Sequence, residues 1–163
     1  MAELNPRLHF VAATAIIAKR DESGVLRFLI AKRASTEKTF PNKWTVPGGK
    51  MVYTEYNNLP RTSPTHPQWY NVVEFVIRKE VREEVGLEIE KPVYLTDLVF
   101  VRQDGYPVVT LSYWAWYKSG DVKLNHEMSD SAWITAEETK NFDLIEGIDG
   151  EIKEVAKLLE NQS

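Results

Sequence analysis

The stretch RKEVREEVGL, Arg78–Leu87, crowds three carboxylates, Glu80, Glu83 and Glu84, together and then stops at Gly86. Upstream, NVVEFVI (Asn71–Ile77) has amphipathic helical spacing, and Asn71 and Glu74 stand apart as a capping box would. The spacing predicts a helix from about Val72 to Val85, ended by Gly86 in a left-handed conformation. On such a helix Val73, Val76, Ile77, Glu80, Glu83 and Glu84 share one arc of roughly 120°. The stripe that begins apolar ends in three acids. Like charges three and four residues apart each cost a few tenths of a kcal/mol, and the helix C-terminus disfavours anions by about 0.3–1 kcal/mol each. Lys79 offsets some of this, since it reaches Glu83 across one turn, and Arg82 adds a second cation. Either the turn is a solvated charged surface, or a hard divalent cation outside the sequence balances it. Magnesium, which takes oxygen ligands and keeps several waters, suits the second reading.

The rest of the chain bounds the answer. Its 163 residues suit one domain, and 43% hydrophobic with 11% aromatic content is enough for a sizeable core. A net charge of −4 and no basic stripe argue against binding a nucleic-acid polymer or an anionic membrane. The absence of cysteine removes disulfides, thiol catalysis and cysteine-held zinc, and suits the cytoplasm. The apolar run FVAATAIIA near the N-terminus is too short to span a bilayer and lacks a basic flank.

LHFVAATAIIAK reads as a mostly buried strand, RDESG as a turn and VLRFLIAKR as the returning strand. PNKWTVPGGK carries a short strand into a tight glycine turn, and YNNLPRTSPTHPQWY, rich in proline, reads as an irregular loop over 56–70. VYLTDLVFVRQ and PVVTLSYWAWYK flank Asp104-Gly105 as a hairpin, with SAWIT as a further strand. Thr135 and Glu138 form a second capping-box pattern, and DGEIKEVAKLLE is a terminal amphipathic helix expected to be capped by Asp149. Strands before, between and after helices predict an α/β/α sandwich around a mixed sheet.

GKMVYTE and KEVREEVGL together resemble the two halves of the Nudix box, G-x5-E-x7-R-E-U-x-E-E-x-G-U, where U is a bulky aliphatic residue. Gly49 opens it, Glu55 falls at the required offset, and Glu80, Val81, Glu83, Glu84, Gly86 and Leu87 match the second half. WTVPGG ahead of the box is also typical of the family. Two departures stand out. Between Glu55 and Lys79 lie 23 residues where the pattern has seven, an insertion of 16, and the family's arginine is Lys79. Lysine keeps the charge but loses the planar bidentate fork.

The resemblance implies a Nudix-type α/β/α fold and Mg²⁺-dependent hydrolysis, with Mn²⁺ as a substitute, of a nucleoside diphosphate linked to another group. A metal ion neutralises the pyrophosphate and lowers the pKa of a bound water, which a carboxylate can hold or deprotonate. Glu80, Glu83 and Glu84 are the implied metal ligands, joined by the Gly49 carbonyl. One of them, or Glu127 on a later loop six residues before Trp133, is the implied base. Lys79 and Glu55 take supporting roles. Arg33, at the end of the second strand, matches a position where relatives hold a phosphate, and its paired donors suit that. Tyr53, Trp69 and Tyr70 border the insertion, either as a stacking lid or as anchors of a surface loop. The substrate expected first is a (d)NTP, cut to the monophosphate and pyrophosphate. ADP-ribose, a nucleotide sugar and a dinucleoside polyphosphate are rivals, as is a non-hydrolytic nucleotide-binding regulator. The partner is a small nucleotide, and many relatives are homodimers, although no motif here specifies one.

Overall fold

The computed structural model describes residues 5–162. Strands β1 (Phe10–Arg20) and β2 (Leu26–Arg33) form an antiparallel pair, and the short β3 (Trp44–Thr45) and β4 (Gly48–Lys50) pair with β2 and β1 respectively. Helices α1 (Tyr53–Tyr56) and α2 (Val72–Val85) follow, then β5 (Glu88–Ile89), β6 (Val93–Val101) and β7 (Pro107–Ser119). Strand β8 (Met128–Ile134), a 3₁₀ turn at Glu137–Asn141 and helix α3 (Ile148–Glu160) complete the chain. The β1–β7 pair is parallel and the other strand pairs are antiparallel, so the sheet is mixed, as expected.

Alternation along β1 assigns the two faces. Ala13, Ala15 and Ile17 meet Val76, Ile77, Val81 and Val85 of α2. Ile16 and Ala18 meet Ile152, Val155 and Leu159 of α3. Each fully buried aliphatic side chain of α2 contributes about 1.5–3 kcal/mol, which fixes the helix and thereby the carboxylates at its end. On β7 the same alternation sends Trp114 and Trp116 to the α3 side and Tyr113 and Tyr117 to the α2 side.

Helix α2 has the expected bounds, and Gly86 ends it at φ 72°, its N–H donating to the Arg82 carbonyl. Four local expectations are corrected. Asn71 is itself left-handed (φ 62°) and makes no capping bond, while Glu74 pairs with Arg78 instead. Helix α3 begins at Ile148 with left-handed Gly147 before it, so Asp149 lies inside the first turn and pairs with Lys153. Gly48 and Gly49 form no turn; they sit in β4, in register with Thr14 and Ala13. Tyr56 belongs to α1, so the stretch without helix or strand runs over 57–71. The Thr135–Glu138 box does form, with each side chain bonding the other's backbone N–H. No helix among the described residues is long and apolar enough to cross a membrane.

Candidate active site

The three acids at the end of α2 have different surroundings. Lys79 Nζ lies 2.9 Å from Glu80 Oε1, 3.2 Å from Glu83 Oε2 and 3.4 Å from Glu55 Oε1. One ammonium thus gathers three carboxylates, which a compact, freely rotating donor can do without the planar fork of arginine. Burial works against the Lys79 charge, but the bonds to Glu80 and Glu83 outweigh it and raise its pKa. Burial raises Glu80 in turn, against the pull of Lys79. Glu83 stands at the rim with a 56% exposed side chain. Arg82 turns away and pairs with Glu88, leaving Lys79 as the cluster's cation.

Glu84 is the strained member. It is 3% exposed and, among the described residues, makes no ion pair and accepts one bond, from the Gly48 N–H at 3.2 Å. Burial, reinforced by the Glu80 charge, pushes its carboxyl up to about 8. The two glycines of β4 make this close packing fit. A Cβ at Gly49 would fall on the Glu80 carboxyl, and one at Gly48 would strike the Ala13 carbonyl and Thr14.

Glu127 and Arg33 approach the same end of α2. The Glu127 charge raises both Glu80 and Glu84, and Arg33 lowers Glu84. Their loops are laced together: Ala34 N–H donates to the Glu127 carbonyl, and Asn125 N–H to that of Glu84. The Arg33 guanidinium bonds the Thr39 carbonyl and Glu37, so its donors serve the 34–39 loop as well as facing Glu84. The candidate carboxylates and Arg33 therefore share one neighbourhood. His126, beside Glu127, is exposed.

Across the sheet, on the α3 side, lies a cavity of about 420 Å³. Phe40 and Phe100 line it and are partly exposed, and Phe40 sits in a left-handed backbone, φ 50°. A non-glycine residue there costs energy, which marks the loop as held in place. Part of its polar lining, beside Thr45, Thr110 and Glu146, is a chain of three side chains from three elements. Thr14 donates to Ser112 at 3.3 Å, and Ser112 to Glu151 Oε1 at 3.1 Å. Burial pushes the Glu151 carboxyl up, opposed by the Ser112 bond.

No protein-family model matches the chain. The nucleoside triphosphatase NudI of Enterobacter sp. (strain 638) is 30% identical over 129 residues, which cover 73% of this chain and 80% of that protein. The chain belongs to the Nudix hydrolase family. Among solved structures, the MutT protein of Methanosarcina mazei Go1 superposes with a TM-score of 0.68 at 22% identity, over 98% of this chain and 100% of that one. The Nudix domain of Shewanella oneidensis NrtR, complexed with ADP ribose, gives 0.71 at 16% identity, over 97% and 95% of the two chains. These two likenesses show the fold. Family membership makes the protein a nucleotide pyrophosphohydrolase.

In this Nudix hydrolase the segment between Glu55 and α2 packs on itself. Tyr56 meets Tyr53 and Trp69 edge to face, and the Trp69 indole donates to the Leu59 carbonyl at 2.9 Å. Trp69 and Tyr56 thus anchor the loop, while Tyr53 and Tyr70 stay exposed. Glu55, at the head of this segment, remains on Lys79, with Oε2 buried and unpaired. The cavity was not anticipated from the sequence. Its signals were Glu151 on the apolar stripe of α3, and Thr110 and Ser112 among the buried positions of β7.

Proposed function

We propose that the protein hydrolyses a (deoxy)nucleoside triphosphate to the monophosphate and pyrophosphate, with Mg²⁺ held by Glu80, Glu83 and Glu84. The observation that carries this is the position of β4 between two different environments. On one side Gly48 bonds Glu84. On the other, Thr14, its partner in the register, lines the cavity. The cavity contains two carboxylates, Glu146 and Glu151, and no basic side chain, so it repels phosphate and suits a base between Phe40 and Phe100. Phosphates then extend past β4 toward the glutamates and Arg33.

The donor set fits a hard cation: every group is a carboxylate or carbonyl oxygen. Among the described residues Glu84 is buried with no ion pair, and Glu55 Oε2 is buried with no hydrogen-bond partner. Among the described residues no group of three or more acidic or histidine side chains stands arranged to hold a metal ion. Lys79 accounts for this, since it holds Glu80 and Glu83 to itself. A bound ion supplies charge neutralisation for the phosphates and an acidified water. The chain's own part is positional. Gly48 and Gly49 admit Glu84 and Glu80 close to β4, Lys79 sets the spacing of Glu80 and Glu83, and Arg33 faces incoming phosphate. Glu127, on its loop beside Glu84, is the candidate base.

Product analysis with Mg²⁺ across dNTPs, NTPs, ADP-ribose, nucleotide sugars and dinucleoside polyphosphates tests the proposal. Monophosphate and pyrophosphate from a triphosphate are expected. Release of orthophosphate, or turnover confined to the other classes, would reject it.

A further inference from the structure

The Thr14–Ser112–Glu151 chain lines the cavity on the α3 side of the sheet, across from the glutamates of α2. It joins β1, β7 and α3 at the polar side of an otherwise largely apolar cavity, and Ser112 is 1% exposed. The direction of its bonds matters. Thr14 donates to Ser112 and Ser112 donates to Glu151, so the chain terminates in an acceptor. Oε1 has a second lone pair to offer, and Oε2 has no protein partner among the described residues.

Resting on the reading that a nucleoside occupies this cavity, we infer that Glu151 is the base-reading residue and that it selects guanine nucleotides. A carboxylate is acceptor-only and wants two adjacent donors. Guanine alone among the common bases presents them side by side, as N1–H and the 2-amino group. Adenine and cytosine place a bare ring nitrogen beside their amino group, so one carboxylate oxygen would face a lone pair. Thymine and uracil flank their N–H with two carbonyl oxygens, so the carboxylate meets repulsion on both sides. Ser112 and Thr14 are positioning residues that hold Glu151 as acceptor.

The test combines two readouts on the intact protein. The first is kcat/KM for dGTP, dATP, dCTP and dTTP with Mg²⁺. The second is equilibrium binding of dGMP, dAMP, dCMP and dTMP, which needs no turnover. The wild-type protein is expected to favour guanine over thymine by about 10- to 100-fold in both, the worth of a charge-assisted bond. Glu151→Gln, whose amide offers one donor and one acceptor, is expected to lose that preference, so that the dGTP-to-dATP ratio of kcat/KM and the dGMP-to-dAMP ratio of affinities both fall by about 10-fold or more. Ser112→Ala, which leaves the carboxylate in place but unheld, is expected to erode the preference several-fold, and it serves if Glu151→Gln does not fold. Absence of a guanine preference, its survival in Glu151→Gln, or an equal loss on all four bases would overturn the inference. Hydrolysis without base selection would refute this assignment alone. Selective dGMP binding abolished by Glu151→Gln, with no triphosphate turned over, would refute the triphosphate-hydrolysis reading and leave this one standing.

Discussion

Replacing Glu84 with glutamine is expected to stabilise the metal-free protein, and to do so only above mildly acidic pH. The carboxyl is 3% exposed and its pKa is pushed up to about 8 from an ordinary 4.5. The folded state therefore binds this proton more tightly than the unfolded chain does. For such a group, stability is fully present below pH 4.5, declines as pH rises, and is lost once pH passes 8. The full shift corresponds to about 5 kcal/mol at 1.36 kcal/mol per unit. Glutamine keeps an acceptor for the Gly48 N–H but brings an amide that needs its own partner, so about 2–4 kcal/mol is expected at pH 8.5. For a chain of this length that is a rise in Tm of about 5–15 °C. The assay is thermal unfolding with chelator from pH 4 to 9, wild type against Glu84→Gln. The gap should open between pH 5 and 8 and vanish near pH 4. Mg²⁺ should raise the wild-type Tm, since a ligand of the native state stabilises it by mass action, and should raise the variant less. Parallel curves for the two proteins across the whole range would refute the account of Glu84 as a buried, uncompensated charge.

Glu83→Gln should behave differently. Glu83 is 56% exposed, so its removal should change Tm by only about 1–2 °C while Mg²⁺-dependent turnover falls by about 100-fold or more; unchanged turnover would remove it from the ligand set. Gly49→Ala sets a Cβ on the flexible Glu80 carboxyl, so kcat should drop by at least about 10-fold with a stability loss of only about 1 kcal/mol, read by denaturant titration. Trp69→Ala removes the anchor of the 57–71 segment, and limited proteolysis should then cut within that segment several-fold faster, with little change in global Tm.

What the sequence revealed depended on how local the physics is. Helix α2 was legible to the residue because its apolar stripe lies within it and its left-handed terminator, Gly86, follows directly in sequence. Asn71 misled because a capping box requires an extended backbone at the cap, and the chain enters from the 57–71 segment with Asn71 left-handed. The glycines of β4 were read as a turn because glycine usually marks one. Here they mark two close approaches, of Glu80 and of β1, that only the tertiary structure displays. The Nudix pattern named the glutamates but could not rank them. Exposure separates them: Glu83 at the rim, Glu80 largely buried with its side chain 13% exposed, Glu84 enclosed. Glu151 was visible as an acid on an apolar stripe, yet its meaning needed the parallel β1–β7 register that sets Thr14 opposite Ser112.

Lys79, which stands where the Nudix pattern would have an arginine, bears on how the site turns substrate over. A binder gains nothing from keeping Glu84 buried with one backbone hydrogen bond and, among the described residues, no ion pair, at a cost of several kcal/mol near neutral pH. Lys79 does not relieve that cost, because its three contacts go to Glu55, Glu80 and Glu83. Had the lysine evolved to neutralise a retired metal site, Glu84 would be the acid most in need of it, and it is the one left out. The arrangement instead leaves the most strained carboxylate to the incoming cation and uses the ammonium to space the others. Lys79→Arg tests this directly. If spacing is the function, arginine should preserve turnover within about 3-fold and raise Tm slightly through a bidentate contact. If the ammonium were a substitute for the metal, Lys79→Met should bind Mg²⁺ more tightly than wild type by calorimetry, because the competitor would be gone. The spacing account expects the opposite, a weaker Mg²⁺ site, as Glu80 and Glu83 spring apart once nothing holds them.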